Sequence, residues 1–289
     1  MINLLSSDET GATMTEIAKH LDINQASCVH MLAALTTAGF LFREPSDRRY
    51  HLGPALVLPG RVAASRYPEL ATARTEMEAL SRAFGRPCFA FSREGDHARL
   101  MHYTWDQGGP TPGIRLGDTV PMVPPLGAMF FAWEGATEIT RWLALDRTMD
   151  RARSDRYRKQ LVVLRRRGYV VEAQPSPRST SQDDLSRTFD DRPSPQRDGE
   201  LYRLLVDHGE NEHVLTDIDP ATDYLIHAIG APIFDRNEAV DMSFTMIGFF
   251  EPISGKEIQR IAAAVRAAAD RTTTALGGVM PSSLRRART

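Results

Sequence analysis

The chain has 289 residues, 42% hydrophobic and 25% charged, with a formal net charge of −2, the proportions of a globular protein of about two domains with a sizeable core. No apolar run approaches the roughly 20 residues a membrane helix needs, and the start, MINLLSSDETGA, lacks the basic and apolar stretches of a signal peptide. A cytoplasmic protein with no membrane partner is expected, its 2 cysteines, Cys28 and Cys88, kept as free thiols by a reducing compartment.

Ile17, Ala18 and Leu21 form one apolar face behind Thr15, which predicts a short helix over residues 15–21 with Thr15 as its N-cap. Asp22, Ile23 and Asn24 supply a turn. In the next helix Cys28, Met31, Leu32 and Leu35 recur at i, i+3, i+4 and i+7, the core stripe of an amphipathic helix, and Gly39 ends it. Phe40, Leu41 and Phe42 begin a strand, Pro45, Ser46 and Asp47 turn it, and Tyr50 and Leu52 return. Two short helices, a turn and a hairpin are the layout of a winged helix-turn-helix, and Arg43, Arg48 and Arg49 cluster where a wing meets phosphates.

At about 100° per residue the second helix turns Ala26, Val29, His30 and Ala33 outward. Its hydrogen-bonding candidates for base edges are His30 and the flanking Asn24, Gln25 and Ser27. With Arg43, Arg48, Arg49 and Tyr50 they make up the candidate DNA contacts. Residues 1–53 nevertheless carry four basic side chains (Lys19, Arg43, Arg48, Arg49) against six acidic ones (Asp8, Glu9, Glu16, Asp22, Glu44, Asp47), whereas most DNA readers are net basic. A dimerisation or protein-interaction module without DNA affinity therefore stays open as the alternative.

Residues 54–68 read as a linker helix that Pro59 kinks or interrupts. A helical stripe over 69–83 stops at Gly85, Arg86 and Pro87, and two strands follow over 88–94 and 98–104, joined by the Glu94, Gly95, Asp96 turn. After the segment 116–133 come helices over 136–145 and 151–167 and a strand over 169–172. Residues 173–213 hold an insertion whose polar first part, 173–200, has no sustained apolar period and is expected to be flexible. Alternating strands over 224–234 and 240–250 lead to a helix over 255–276 capped by Ser254. The tail 279–289, with Arg285, Arg286 and Arg288, is expected to be disordered.

The run LDINQASCVHMLAALTTAGFLFREPSDRRYHLG, residues 21–53, resembles the reader domain of IclR-type bacterial transcriptional regulators, through the turn, the recognition helix, the Gly-Phe exit and the R-Y-x-L-G wing end. The family carries Ser-Thr where this chain has Ala26 and Ser27, and Arg where it has His30, which implies weaker or more pH-dependent DNA binding. Only Ile2 to Ser6 stand for the family's first helix, implying a short helix one or a chain begun too late. Residues 69–278 resemble the same family's effector-binding domain, a mixed α/β fold related to GAF and profilin-like domains. Gly117 and Pro121, with a helix over 127–132, stand at its G-x-x-x-P and G-K-A motifs, Ala128 replacing the lysine. Gly168, Tyr169 and Val170 stand at its G-Y-x-V strand, and AIGAPIFD, residues 228–235, at its C-I-A-A-P-I-F-D strand.

The resemblance implies an α+β chain in which a winged helix-turn-helix (1–53) and a linker helix (54–68) precede an effector domain (69–278). Gly127, at a helix N-terminus, is the expected anion site, with Met122, Ala128, Met129, Ala228, Ser243 and Thr245 completing the ligand-binding set. Because the lining residues Met122, Met129, Phe130, Phe131 and Phe244 are bulky and apolar, the expectation is an organic acid or aromatic effector of more hydrophobic character, or no ligand at all. His97 and His102, and His208 and His213, find no third ligand at zinc spacing. G-x-S-x-G, P-loop and G-x-G-x-x-G motifs are absent. No metal, no cofactor and no enzymatic activity are expected. The implied protein is a transcriptional regulator that binds a palindromic double-stranded operator as a homodimer or tetramer and answers to a small molecule.

Overall fold

A computed structural model describes residues 1–6, 10–65, 68–104, 114–173, 195–205 and 214–285. They form two units, Met1–Pro68 and Glu69–Thr289.

The first unit opens with α1 (Ile2–Ser6), α2 (Met14–Leu21) and α3 (Gln25–Thr37), continues with β1 (Leu41–Arg43) and β2 (Tyr50–Leu52), and ends in α4 (Val57–Ser65) after a 3-10 turn at Pro54–Leu56. The cap of α2 is Thr13, not Thr15: Thr13 Oγ1 accepts the Glu16 amide at 3.3 Å while the Glu16 carboxylate accepts the Thr13 amide at 2.7 Å, a capping box. Asp22 closes α2 in the left-handed region at φ 50°. The core holds Leu5, Ile17, Ala18, Cys28, Leu32 and Leu41. Met31, expected in the core stripe, is 39% exposed, while Cys28 and Leu32 are fully buried and Leu35 packs against them.

The hairpin pairs Leu41 with Leu52 and Arg43 with Tyr50, and Ala12 forms an isolated antiparallel bridge to Tyr50. Gly53 ends it because the chain folds back on the α3 exit: its amide donates to the Phe40 carbonyl at 2.8 Å, and a Cβ at Gly53 would fall 2.2 Å from the Gly39 oxygen. Pro59 does not break the linker helix. It lies in the first turn of α4, where an amide has no helical partner to lose, so the irregularity appears one step earlier, as the 3-10 turn.

The second unit is built on an antiparallel sheet of order β5-β4-β3-β9-β8-β6. Its strands are β3 (Cys88–Glu94), β4 (His97–Thr104), β5 (Thr119–Pro121), β6 (Val170–Ala173), β8 (Ile226–Phe234) and β9 (Val240–Met246), while β7 (Asp223–Tyr224) pairs with β10 (Ile253–Ser254) beside it. Against one face pack α5 (Pro68–Phe84) and α10 (Gly255–Ala275), through Ala73, Met77, Leu80, Ile258, Ile261 and Val265. The other face carries α6 (Ala128–Phe131), α7 (Ala136–Leu143), α8 (Arg151–Arg167) and α11 (Ser282–Arg285); its core includes Phe131, Trp142, Leu161, Leu164 and Leu284. The Trp142 indole N–H holds the loop before α6 by donating to the carbonyls of Met122 at 2.8 Å and Leu126 at 3.1 Å. Ser254 caps α10 as expected, its Oγ accepting the Glu257 amide at 3.2 Å.

Two expectations of disorder need correction. Within the insertion, residues 195–205 form α9 (Pro195–Leu205), seated by the fully buried Leu201 and by Arg197 Nη2, which donates to the Thr119 carbonyl of β5 at 3.2 Å. The remainder of the expected flexible stretch, 174–194 and 206–213, lies outside the described residues. In the tail, Val279 donates to the Asp235 carbonyl at 2.9 Å, and Leu284 is 1% exposed in the core; residues 286–289 lie outside the described residues.

Candidate functional site

The outward side of α3 presents Gln25, Ala26, Ser27, Val29, His30 and Ala33, all exposed. Asn24 has another task. Its Oδ1 accepts the Ser27 amide at 2.8 Å, so it starts the helix. On the hairpin, Arg43 and Arg48 are exposed. Arg43 Nε donates to the Arg48 carbonyl at 3.4 Å, and its guanidinium lies 5.4 Å from the Tyr50 ring centre, close enough for cation–π attraction. Arg48 takes a left-handed φ of 61° at the turn.

Arg49 is placed differently from its two neighbours. Its Nη1 donates to the Gly11 carbonyl at 2.8 Å and pairs with the Glu16 carboxylate at 3.2 Å, clipping the wing to the first turn of α2. The Thr13 amide, then the Thr13 hydroxyl and Arg49, hold the Glu16 carboxyl below its usual range. Arg49 thus braces the reader through Gly11 and Glu16.

In the second unit the expected ligand residues separate into two places. Met122, 1% exposed, belongs to the packing under Trp142. Gly127 precedes α6, a helix of only four residues, and the Ala128 amide points to the Pro125 carbonyl at 3.4 Å. Ala128 is buried in the same core. Phe244 faces the other side of the sheet, among the residues under α5 and α10, because alternation along β9 sends it opposite to Ser243 and Thr245.

Met129, Ala228, Ser243 and Thr245 do share a face. Register pairs Gly230 with Thr245 and Pro232 with Ser243, and a Cβ at Gly230 would sit 3.0 Å from Met129 Cε and 3.2 Å from Thr245 Oγ1, so the missing side chain leaves Met129 and Thr245 facing each other. Ser243 is 1% exposed, and its Oγ has no hydrogen-bond partner among the described residues. Across the sheet Phe89 pairs with Thr245 and Phe91 with Ser243, and Phe89 stacks on Tyr103 at 5.7 Å. At the β6 edge Glu172 stands opposite Ala228; burial pushes its carboxyl above the usual range, and His227 pulls it partly back. Phe89, Phe91, Tyr103 and Glu172 were not anticipated from sequence. The signal was an acid in an otherwise apolar strand, and two aromatics two apart on one strand with a third on its neighbour.

A separate cavity of about 220 Å³ opens at the β8–β9 turn, lined by residues including Phe130, Trp133, Asn237, Val240 and Pro281. Of the residues expected to shape the ligand pocket, Phe130 lines this cavity, while Met122, Gly127, Ala128, Met129, Ala228, Ser243 and Thr245 do not. Of the four histidines considered for metal, His97 Nε2 lies 2.9 Å from the Asp198 carboxylate of α9, and burial holds the His102 imidazole below its usual range. His208 and His213 lie outside the described residues.

No family model matches the chain. Over 102 residues it is 26% identical to the DNA-binding transcriptional repressor YiaJ of Escherichia coli (strain K12), a match spanning 35% of this chain and 36% of the repressor. The chain thus matches about a third of the length of that curated relative. Among solved structures, an IclR transcriptional regulator from Alicyclobacillus acidocaldarius superposes with a TM-score of 0.62 at 20% identity, covering 96% of each chain. This is the IclR fold. The IclR of Thermotoga maritima shares it at TM-score 0.59 and 18% identity over 92% of this chain and 91% of that one. So does an IclR homolog from Microbacterium hydrocarbonoxydans complexed with 4-hydroxybenzoate, at TM-score 0.57 and 15% identity over the same 92% and 91%. In this chain the IclR fold places two surfaces of different chemistry in two units: an uncharged helix face with a cationic wing, and a sheet face with aromatic and hydroxyl side chains.

Proposed function

We propose that the protein is a transcriptional regulator that binds double-stranded operator DNA and whose affinity is set by a small-molecule effector. The observation that carries this is the reader unit: α3 exposes Gln25, Ser27 and His30, and the hairpin beside it exposes Arg43 and Arg48, a groove-reading helix with a phosphate-holding wing. Tyr50 supports the wing by lying under Arg43. One winged helix gives little affinity alone, so the protein acts in the cytoplasm as a dimer on a palindromic site, or as a pair of such dimers.

The effector reading rests on the sheet face. A buried hydroxyl on Ser243, with Thr245, Met129 and Ala228 nearby and Phe89, Phe91 and Tyr103 on the adjoining strands, suits a small aromatic molecule with a hydrogen-bonding substituent. The 4-hydroxybenzoate held by one structural relative has that chemistry. An effector changes operator affinity only if it binds one arrangement of the dimer better than another.

The rival reading, a dimerisation module without DNA affinity, is favoured by one observation: α3 bears no charged side chain. Fluorescence anisotropy with duplexes from upstream of the protein's own coding region, over a range of salt concentrations, separates the two. A DNA reader shows log affinity falling linearly with log salt, and Arg48→Ala flattens the slope by about 0.9, the loss of one phosphate contact. Absence of salt-dependent binding to every upstream fragment would leave the dimerisation module.

A further inference from the structure

Helix α3 contains no lysine, arginine, aspartate or glutamate in its 13 residues, QASCVHMLAALTT. That absence limits what it can read. The commonest specific contact in the major groove is a cation held bidentately to guanine O6 and N7, and a carboxylate is the group that accepts from cytosine N4. Neither is available on this helix.

What α3 does present is mostly hydrocarbon. Val29 is 48% exposed, with Ala26 and Ala33 exposed one turn to either side. An apolar side chain left in water gains when another apolar group covers it. Among the groups that base pairs display in the major groove, the one with matching chemistry is the C5 methyl of thymine. Beside this face, at the N-terminal end that enters the groove, Gln25 is exposed; its amide can give and accept one hydrogen bond each with adenine N7 and N6. His30 is the one remaining group on the face able to meet a guanine acceptor, while the Ser27 hydroxyl does not discriminate.

We infer that α3 reads an A·T-rich half-site, Val29 and Ala26 packing on thymine methyls and Gln25 pairing with an adjacent adenine, a G·C pair being tolerated only opposite His30 or Ser27. The inference rests on the DNA-binding function proposed above and adds the class of sequence recognised.

The test uses the full chain and a random-sequence duplex library. Duplexes retained by the protein are sequenced, and the best is remade with uracil for thymine, which removes only the methyl groups. Enrichment of A·T-rich half-sites is expected, with binding weakened about four-fold for each methyl in contact, the worth of one buried carbon group. In Val29→Ser, an exposed position, the penalty for uracil at one half-site position falls to near one-fold while the salt slope is unchanged. Enrichment of G·C-rich sites, or equal affinity for the thymine and uracil duplexes, overturns the inference and leaves DNA binding intact. If no duplex shows salt-dependent retention, DNA binding itself fails, and the sequence preference with it.

Discussion

Ser243 is a buried hydroxyl that finds no hydrogen-bond partner among the described residues. A buried polar group left unsatisfied costs roughly 1–3 kcal/mol, so Ser243→Ala is expected to leave the melting temperature of the free protein unchanged or raise it. A residue with a purely structural role would lower it. In the same scans a saturating hydroxylated aromatic acid such as 4-hydroxybenzoate should stabilise the wild type, by about 2.7 kcal/mol at a hundred times its Kd, and the variant distinctly less. Equal stabilisation of both would remove Ser243 from the ligand face. Residue-level roles were only partly legible in sequence. Ser243 and Thr245 were visible as hydroxyls two apart on a strand, but nothing local showed which face they would share with Phe89. The capping box was fully written in the Thr13-x-x-Glu16 spacing, yet Thr15 stood nearer the apolar face and drew the assignment. Arg49 differs from Arg48 through contacts with Gly11 and Glu16, 38 and 33 positions away, distances no motif spans.

The turn between α7 and α8 depends on Asp146, which is 6% exposed. Its carboxylate accepts the Thr148 amide at 2.8 Å and hydroxyl at 2.7 Å and pairs with Arg153 at 2.6 Å. Burial alone would raise its pKa, but Thr148 and Arg153 together bring it below the ordinary value. A carboxyl whose pKa is depressed by folding contributes stability above its unfolded pKa, near 4, and loses that contribution as the pH falls through the lower folded value. Asp146→Asn should therefore cost about 1–3 kcal/mol at neutral pH, and the gap in melting temperature should close below about pH 4. A gap that stays constant down to pH 2 would show that the charge is not what holds the turn.

Long helices with a clear apolar stripe were legible: α8 over residues 151–167 is where its periodicity puts it. Strand β8 is buried along nearly its whole length instead of alternating, because helices cover both faces of the sheet. The three-residue β5 and the helix α9 escaped notice for a related reason. A short edge strand has no period to detect, and α9 is seated through a few residues, chiefly Leu201, in a polar sequence.

At the scale of the molecule, residues 21–53 point to the winged helix because a core stripe, a glycine exit and an arginine-bearing hairpin must occur in that order to close so small a core. The second unit was legible mainly through resemblance; the order of its strands is set by contacts between distant segments that no local pattern contains. Each unit holds one fully buried cysteine, Cys28 in the first and Cys88 in the second, and burial pushes both thiols above their ordinary pKa. A thiol reacts as its thiolate, so each is sealed until its own unit opens. The chain thus carries a chemical clock for each half. Pulsed alkylation in rising urea, with the tagged cysteine identified by mass, should mark Cys28 before Cys88, since the reader core is much the smaller. A single shared midpoint would mean that the halves open together. Operator DNA should slow the Cys28 clock most and an aromatic acid the Cys88 clock most, so that two atoms of sulfur report which ligand has arrived and where.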